Sequence, residues 1–154
     1  MKLNKSDIQS LDKIYRLNLI NSVTGIKPAN LIGTINEQGV ENLAIFSSVV
    51  HLGSNPPLIG MITRPVDEVP RHTYQNIRES GFYTINSVPV DYTKQAHYTS
   101  AKFSEEESEF EACGFSPEYV ADFRAPFVKE SELKMGLKLV EEIDIPLNGT
   151  IMLI

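Results

Sequence analysis

The sequence predicts a mainly β protein, a barrel of about six strands with short crossing helices. Two observations carry this reading. Short runs rich in Ile, Val, Leu and Thr recur between Gly, Pro, Asn and Asp residues that favour turns. Only brief stretches show the three-to-four-residue apolar spacing of a helix.

The elements follow in order. Ser6-Asp7 ahead of Ile8, Leu11 and Ile14 supplies a cap signal and one apolar face, which predicts a short N-terminal helix. From Leu17 the pattern changes, and Leu31–Ile35, the turn Asn36-Glu37-Gln38-Gly39, and Val40–Val50 read as a hairpin. Pro57–Thr63, Phe82–Val88, Lys134–Glu142 and Thr150–Ile154 read as further strands. Thr73–Ser80 reads as a crossing helix, with Thr73 as its cap, Tyr74 and Ile77 as its apolar contacts and Gly81 as a left-handed stop. Asp91–Ser100 reads as a second short helix, and Ala101–Pro126 as an irregular acidic and aromatic segment suited to functional loops.

With 154 residues, 42% of them hydrophobic, the chain is one domain spanning 1–154 with enough apolar surface for a core. Its net charge of -6, without a basic run, argues against a nucleic-acid partner, because neutralising many backbone phosphates requires clustered Lys and Arg. No apolar run approaches the roughly 20 residues of a bilayer span, so no membrane association is expected. Cys113 is the lone cysteine, and the N-terminus lacks a basic-then-apolar signal, which together point to the cytoplasm.

Ser47-Ser48 closes a predicted strand, where hydroxyls and unpaired amides can face a ligand or simply terminate the strand through local hydrogen bonds. Arg71, His72 and Thr73 stand where helix amides favour an anion, and Arg64 follows a strand close by. A guanidinium binds phosphate through two parallel hydrogen bonds. The alternative pairs Arg71 with Asp67 or Glu68 on the surface. His51, His72 and His97 lack metal-ligand spacing, although His97 with Tyr98, Thr99 and Ser100 is a candidate lining for a nicotinamide pocket, the alternative being a surface histidine in a polar loop. Cys113 has no neighbouring cation to activate it and reads as a packed thiol. Neither a Gly-x-Gly-x-x-Gly nor a P-loop motif occurs, so a nucleotide would be held another way. Hydroxyls, amides and guanidinium groups in this grouping suit one phosphomonoester joined to a flat heteroaromatic ring, the chemistry of a flavin mononucleotide.

Five segments in order resemble the flavin reductase family of FMN-binding split-barrel proteins, and the resemblance covers the chain from about Leu17 onward. They are Lys27-Pro28-Ala29-Asn30-Leu31-Ile32-Gly33-Thr34, Asn42-Leu43-Ala44-Ile45-Phe46-Ser47-Ser48, Asn55-Pro56-Pro57-Leu58, Arg71-His72-Thr73-Tyr74-Gln75-Asn76-Ile77, and Ser108-Glu109-Phe110-Glu111 with Gly114. The resemblance implies a split β-barrel, usually homodimeric, with FMN near the subunit interface. It places the ring along Asn30 and the backbone of Ala44, Ile45, Phe46, Ser47, Ser48 and Val49, with the phosphate at Arg64, Arg71, His72 and Thr73. Ile45 stands where relatives often carry Pro, and Val49 where they often carry an aromatic residue, so the stacking surface is expected to differ. Relatives generally continue beyond the strand that ends here at Ile154, so a C-terminal extension is expected to be lacking.

The activity implied is hydride transfer from NADH or NADPH to flavin, for which no side-chain acid, base or nucleophile is obligatory. The rival expectations are an FMN-binding electron carrier of the flavoredoxin kind and a non-catalytic dimeric barrel.

Overall fold

The computed structural model describes residues 2–66 and 69–154. It has a mainly β architecture, with ten strands among the described residues and two four-stranded antiparallel sheets.

The first sheet has the order β2-β1-β5-β8. Here β1 is Asn30–Ile35, β2 is Glu41–Phe46, β5 is Phe82–Ser87 and β8 is Lys134–Lys138. The second has the order β3-β4-β10-β9, formed by β3 (Val49–Ser54), β4 (Pro57–Thr63), β9 (Glu142–Ile145) and β10 (Thr150–Leu153). A two-stranded ribbon joins β6 (Pro117–Glu118) to β7 (Phe127–Val128).

The expected hairpin of 31–35 with 40–50 is present, but its second arm is two strands. β2 pairs with β1, Phe46 lying opposite Asn30, and the chain then crosses to the other sheet. Ser48 makes the crossing: its carbonyl accepts from the Ile62 amide at 3.1 Å and its hydroxyl donates to the Ile62 carbonyl at 2.6 Å. The run 134–142 divides likewise, because Val140 and Glu141 donate to the Ile154 carbonyl and turn the chain from β8 into β9. These two divisions and the small ribbon account for the four strands beyond the six expected. A polar pair, Ser47-Ser48 or Glu141-Glu142, interrupts each run, but residue type alone does not mark a change of sheet.

One core lies between the sheets. Ile32, Ile85, Met61, Ile151 and Leu153 meet there with Tyr74 and Ile77, all buried. Those last two come from α3 (His72–Ser80), which ends at Gly81 in the left-handed conformation, φ 74°. The helix therefore begins one residue earlier than predicted. Arg71 occupies its cap position without a side-chain cap bond, and Thr73 lies inside the first turn.

A second core covers the outer face of the first sheet. Leu31 and Leu43 pack there against Ala96 of α4 (Thr93–Tyr98) and Phe110 and Cys113 of α5 (Glu109–Cys113). A 3-10 turn at Val90–Tyr92 precedes α4, so the helix expected over 91–100 is shorter, and α5 is the helix that the irregular 101–126 segment concealed.

The N-terminal segment departs further from expectation. It forms two helices, α1 (Lys5–Ser10) and α2 (Lys13–Ser22), neither with a buried residue. Asn4, rather than Ser6, caps α1, in a reciprocal pair with Asp7. No helix of the described residues is long and apolar enough to cross a membrane.

Candidate functional site

Where β2 hands over to β3, the two sheets part and leave a cleft of about 900 Å3. Its floor and one wall come from β2 and the crossing: Asn42, Ala44, Ile45, Phe46, Ser47 and Ser48. Ala44 and Phe46 lie opposite Ile32 and Asn30 in the β1 register, so they share the inward face of the sheet. Ile45 points to the other face, packs against the second core and also borders the cleft. Ser47 is exposed at the mouth.

A second wall is cationic. Arg64 follows β4, and Arg71, His72 and Thr73 open α3. The helix terminus is tied to β2 by the Asn42 amide, which donates to Thr73 Oγ1 at 3.0 Å and to Thr34 Oγ1 at 3.3 Å. Asn76 donates to the same Thr34 hydroxyl at 3.1 Å, so a buried polar chain fixes α3 against β1 and β2. Arg71 Nε makes a long bond of 3.4 Å to the Pro65 carbonyl. The first-turn amides of α3 have no side-chain cap, and the positive end of the helix dipole lies at this wall of the cleft.

Glu109 is the buried acid of the cleft, 5% exposed. Its Oε2 accepts from the Leu43 amide at 3.0 Å. β2 is the edge strand of its sheet, and this carboxylate pairs an edge amide that no strand reaches. Desolvation pushes its pKa up, opposed by that backbone bond and by the nearby His72.

The structure brings most of the residues singled out from sequence to this cleft. Asn30, Val49 and His97 are not in its wall. Asn30 lies one strand behind, opposite Phe46, with its buried Nδ2 lacking a partner among the described residues. Val49 packs against the inter-sheet core, because residues alternate faces once the chain has crossed. Of the expected group His97 to Ser100, His97 and Tyr98 are exposed on α4 and outside the cleft wall, whereas Thr99 and Ser100 line it with the loop that runs on to Phe103. Ser48 satisfies the local reading of its hydroxyl through Ile62 and also lines the cleft. The alternative partners of Arg71, Asp67 and Glu68, lie outside the described residues. Cys113 is buried, and desolvation followed by the Glu109 charge pushes its thiol up.

Sequence reasoning missed Lys27, Lys102, Phe103 and Glu109 as lining residues. Only the Ser-Glu-Phe-Glu stretch carried a signal for Glu109.

The donor set fits a phosphate-bearing planar ligand. Two guanidinium groups and an uncapped helix start match about two negative charges on a phosphomonoester at neutral pH. Ala44, Phe46 and Ile62 offer an apolar surface beside them.

Known proteins resemble this chain in sequence and fold. A protein of Shewanella frigidimarina NCIMB 400 named as a flavin reductase with a split barrel domain is 54% identical, with a TM-score of 0.94 over 99% of this chain and 75% of that one. The flavoredoxin of Desulfovibrio vulgaris (Miyazaki F) is 26% identical, with a TM-score of 0.70 over 82% of this chain and 66% of that one. A protein of Halalkalibacterium halodurans is 32% identical over 97% of this chain and 69% of its own length. The flavin reductase like domain matches residues 26–153, and the chain belongs to that family.

Proposed function

We propose that this protein binds FMN in the cleft between its sheets and passes hydride to it from NADH or NADPH. One observation carries the reading: Ser47 and Ser48 at the strand crossing share a single cleft with Arg64, Arg71 and Thr73. Had the serines and the guanidinium groups stood on opposite sides, no one ligand could meet both. When bound, flavin supplies the hydride-accepting chemistry.

The chain's own residues do the rest. Arg64, Arg71 and the first turn of α3 hold the phosphate, and the Asn42–Thr73 bond keeps that anchor in register with β2. Phe46 and Ala44 present the ring surface, with Ser47 as a polar contact at its edge. The loop of Thr99 to Phe103 lines the cleft, and in this reading it excludes water from the reacting face and orients the nicotinamide. The orphaned Asn30 amide supports a polar ligand edge or a water behind Phe46.

We read the working unit as a cytoplasmic homodimer. Apolar side chains exposed on the second sheet, including Val50, Leu52 and Ile143, and on α2, including Ile14 and Leu17, support the dimer.

The absorbance spectrum of the purified protein, taken before and after FMN addition and desalting, tests the binding. Yellow colour retained through the column is expected, and a colourless protein that takes up no FMN overturns it in favour of a non-catalytic barrel. The likeness to flavoredoxin favours a second reading, an electron carrier that keeps its flavin. Rapid mixing of the FMN-loaded protein with NADH or NADPH separates the two: bleaching without a protein partner is the reductase outcome.

A further inference from the structure

We infer that Glu142, which accepts from the Tyr74 hydroxyl, is a positioning residue: it ties the first turn of α3 to the second sheet and so fixes the spacing of Arg71 and Arg64. This rests on the reading of that wall as a phosphate anchor, and it gives two residues outside the cleft wall the task of setting the anchor's width.

The two guanidinium groups stand on different supports. Arg64 directly follows β4, a strand of the second sheet, whereas Arg71 occupies the cap position of α3. A phosphate gripped by both requires one fixed spacing of the supports, because charge-assisted N–H···O bonds are short, roughly 2.7–2.9 Å.

The first turn of α3 is bonded on two sides. Thr73 accepts from the Asn42 amide on β2, in the first sheet, at 3.0 Å. Tyr74, the next residue, donates its hydroxyl to Glu142 Oε1 on β9, in the second sheet, at 2.5 Å. Arg78 lies one turn further along α3, with Nε 3.4 Å from Glu142 Oε2 and its guanidinium carbon 5.6 Å from the Tyr74 ring centroid. Among the described residues, no other side chain of α3 bonds a strand of the second sheet. The remaining polar link on that side, from Arg71 Nε to the Pro65 carbonyl, is long at 3.4 Å.

Sheet register carries the link onward to Arg64. Glu142 lies opposite Leu153 of β10, which lies opposite Met61 of β4. That is two strand spacings, about 10 Å across. Thr63, the last residue of β4, pairs with Ile151 of β10, and Arg64 is next in the chain. The path from Tyr74 to Arg64 therefore crosses paired strands.

Packing alone does not account for the hydroxyl. The Tyr74 ring is buried in the core between the sheets with Ile77 and Met61, and a phenyl ring would fill the same space. The oxygen adds a direction. Burial, followed by the Glu142 bond, pushes the Tyr74 pKa up, which keeps the hydroxyl a donor. The Arg78 pair is largely exposed and would contribute little by itself.

Titration with inorganic phosphate, followed by the backbone amide NMR shifts of His72 and Thr73, reads the anchor without flavin; fluorescence titration with FMN and riboflavin reads it with the ring attached. All variants are compared at a temperature where thermal unfolding shows them folded. Tyr74→Phe is expected to weaken phosphate and FMN about fivefold each, the scale of coupling within one bonded network, and riboflavin by less than about 1.5-fold. Glu142→Ala should do the same, and the double variant should lose no more than either single one. Glu142→Gln keeps an acceptor for Tyr74 and should recover most of the loss. Unchanged phosphate and FMN affinities in Tyr74→Phe, equal losses for FMN and riboflavin, or additive losses in the double variant overturn the positioning role and leave the flavin site standing. Tyr74-dependent phosphate binding by a protein that takes up no FMN upholds the positioning role and overturns the flavin reading.

Discussion

Replacing Arg71 with Ala separates the phosphate of a flavin nucleotide from its ring. Arg71 is half-buried at the cleft wall, and among the described residues its side chain bonds only to the Pro65 carbonyl, from Nε at 3.4 Å. That contact uses Nε alone, and a bidentate contact with phosphate would use the terminal guanidinium nitrogens. A hydrogen bond to a charged group contributes about 1.5–3 kcal/mol, and solvent at the mouth favours the lower part of that range. A loss of about 2 kcal/mol corresponds to a roughly 30-fold rise in the FMN Kd. Riboflavin lacks the phosphate, and its Kd should change by no more than about threefold. The fold is expected to survive, because Arg71 makes no side-chain cap bond to α3. Flavin fluorescence titration with both ligands, alongside thermal unfolding, measures all three quantities. Equal losses for FMN and riboflavin would refute the phosphate role of this residue, whatever the size of the effect.

Ser47→Leu places a branched side chain at the exposed mouth of the cleft; FMN titration should fail while the melting temperature holds, and an unchanged titration would move the ring site elsewhere. Gly33→Ala should destabilise the fold by about 3 kcal/mol, because a Cβ there would stand 2.2 Å from the Pro126 carbonyl oxygen and 2.6 Å from Thr84 Oγ1; a loss under about 1 kcal/mol in denaturant unfolding would show that the 126 loop yields easily. Glu109→Ala should cost about 2 kcal/mol by orphaning the buried Leu43 amide, whereas Glu109→Gln keeps an acceptor. Burial raises the Glu109 pKa above its ordinary 4.5, so its contribution to stability is full below the unfolded value and is lost as pH rises through the folded one. The Gln variant lacks that loss. Its stability relative to wild type should therefore climb with pH from about 4.5 upward, and a flat or falling difference in pH-dependent unfolding would contradict the burial argument.

How much was legible depended on the range of the interaction. β4 and α3 could be read within a residue or so, because a proline start, alternating apolar residues and a left-handed Gly81 are local signals. The crossing at Ser47-Ser48 was legible as a polar interruption but not as a change of sheet, which is decided by the bond from Ser48 to Ile62, 14 residues away. α5 escaped notice for a similar reason. Five residues are too few to establish a helical period, and what holds them is the packing of Phe110 and Cys113 on Leu43.

The sequence by itself determined the fold class, the strand-ending serines, the cations beside them and the absence of a Gly-rich phosphate loop, since each depends on residue type and near neighbours. Only the tertiary structure decided that Ser47 and Arg71 share one cleft, that His97 stays outside it, and that Lys27, Lys102 and Glu109 belong to its wall. These residues lie up to 82 positions apart, Lys27 to Glu109, and are assembled by sheet register and helix docking. Local propensity carries no information about such pairings, because the energy that selects them comes from burial and hydrogen bonds between elements distant along the chain.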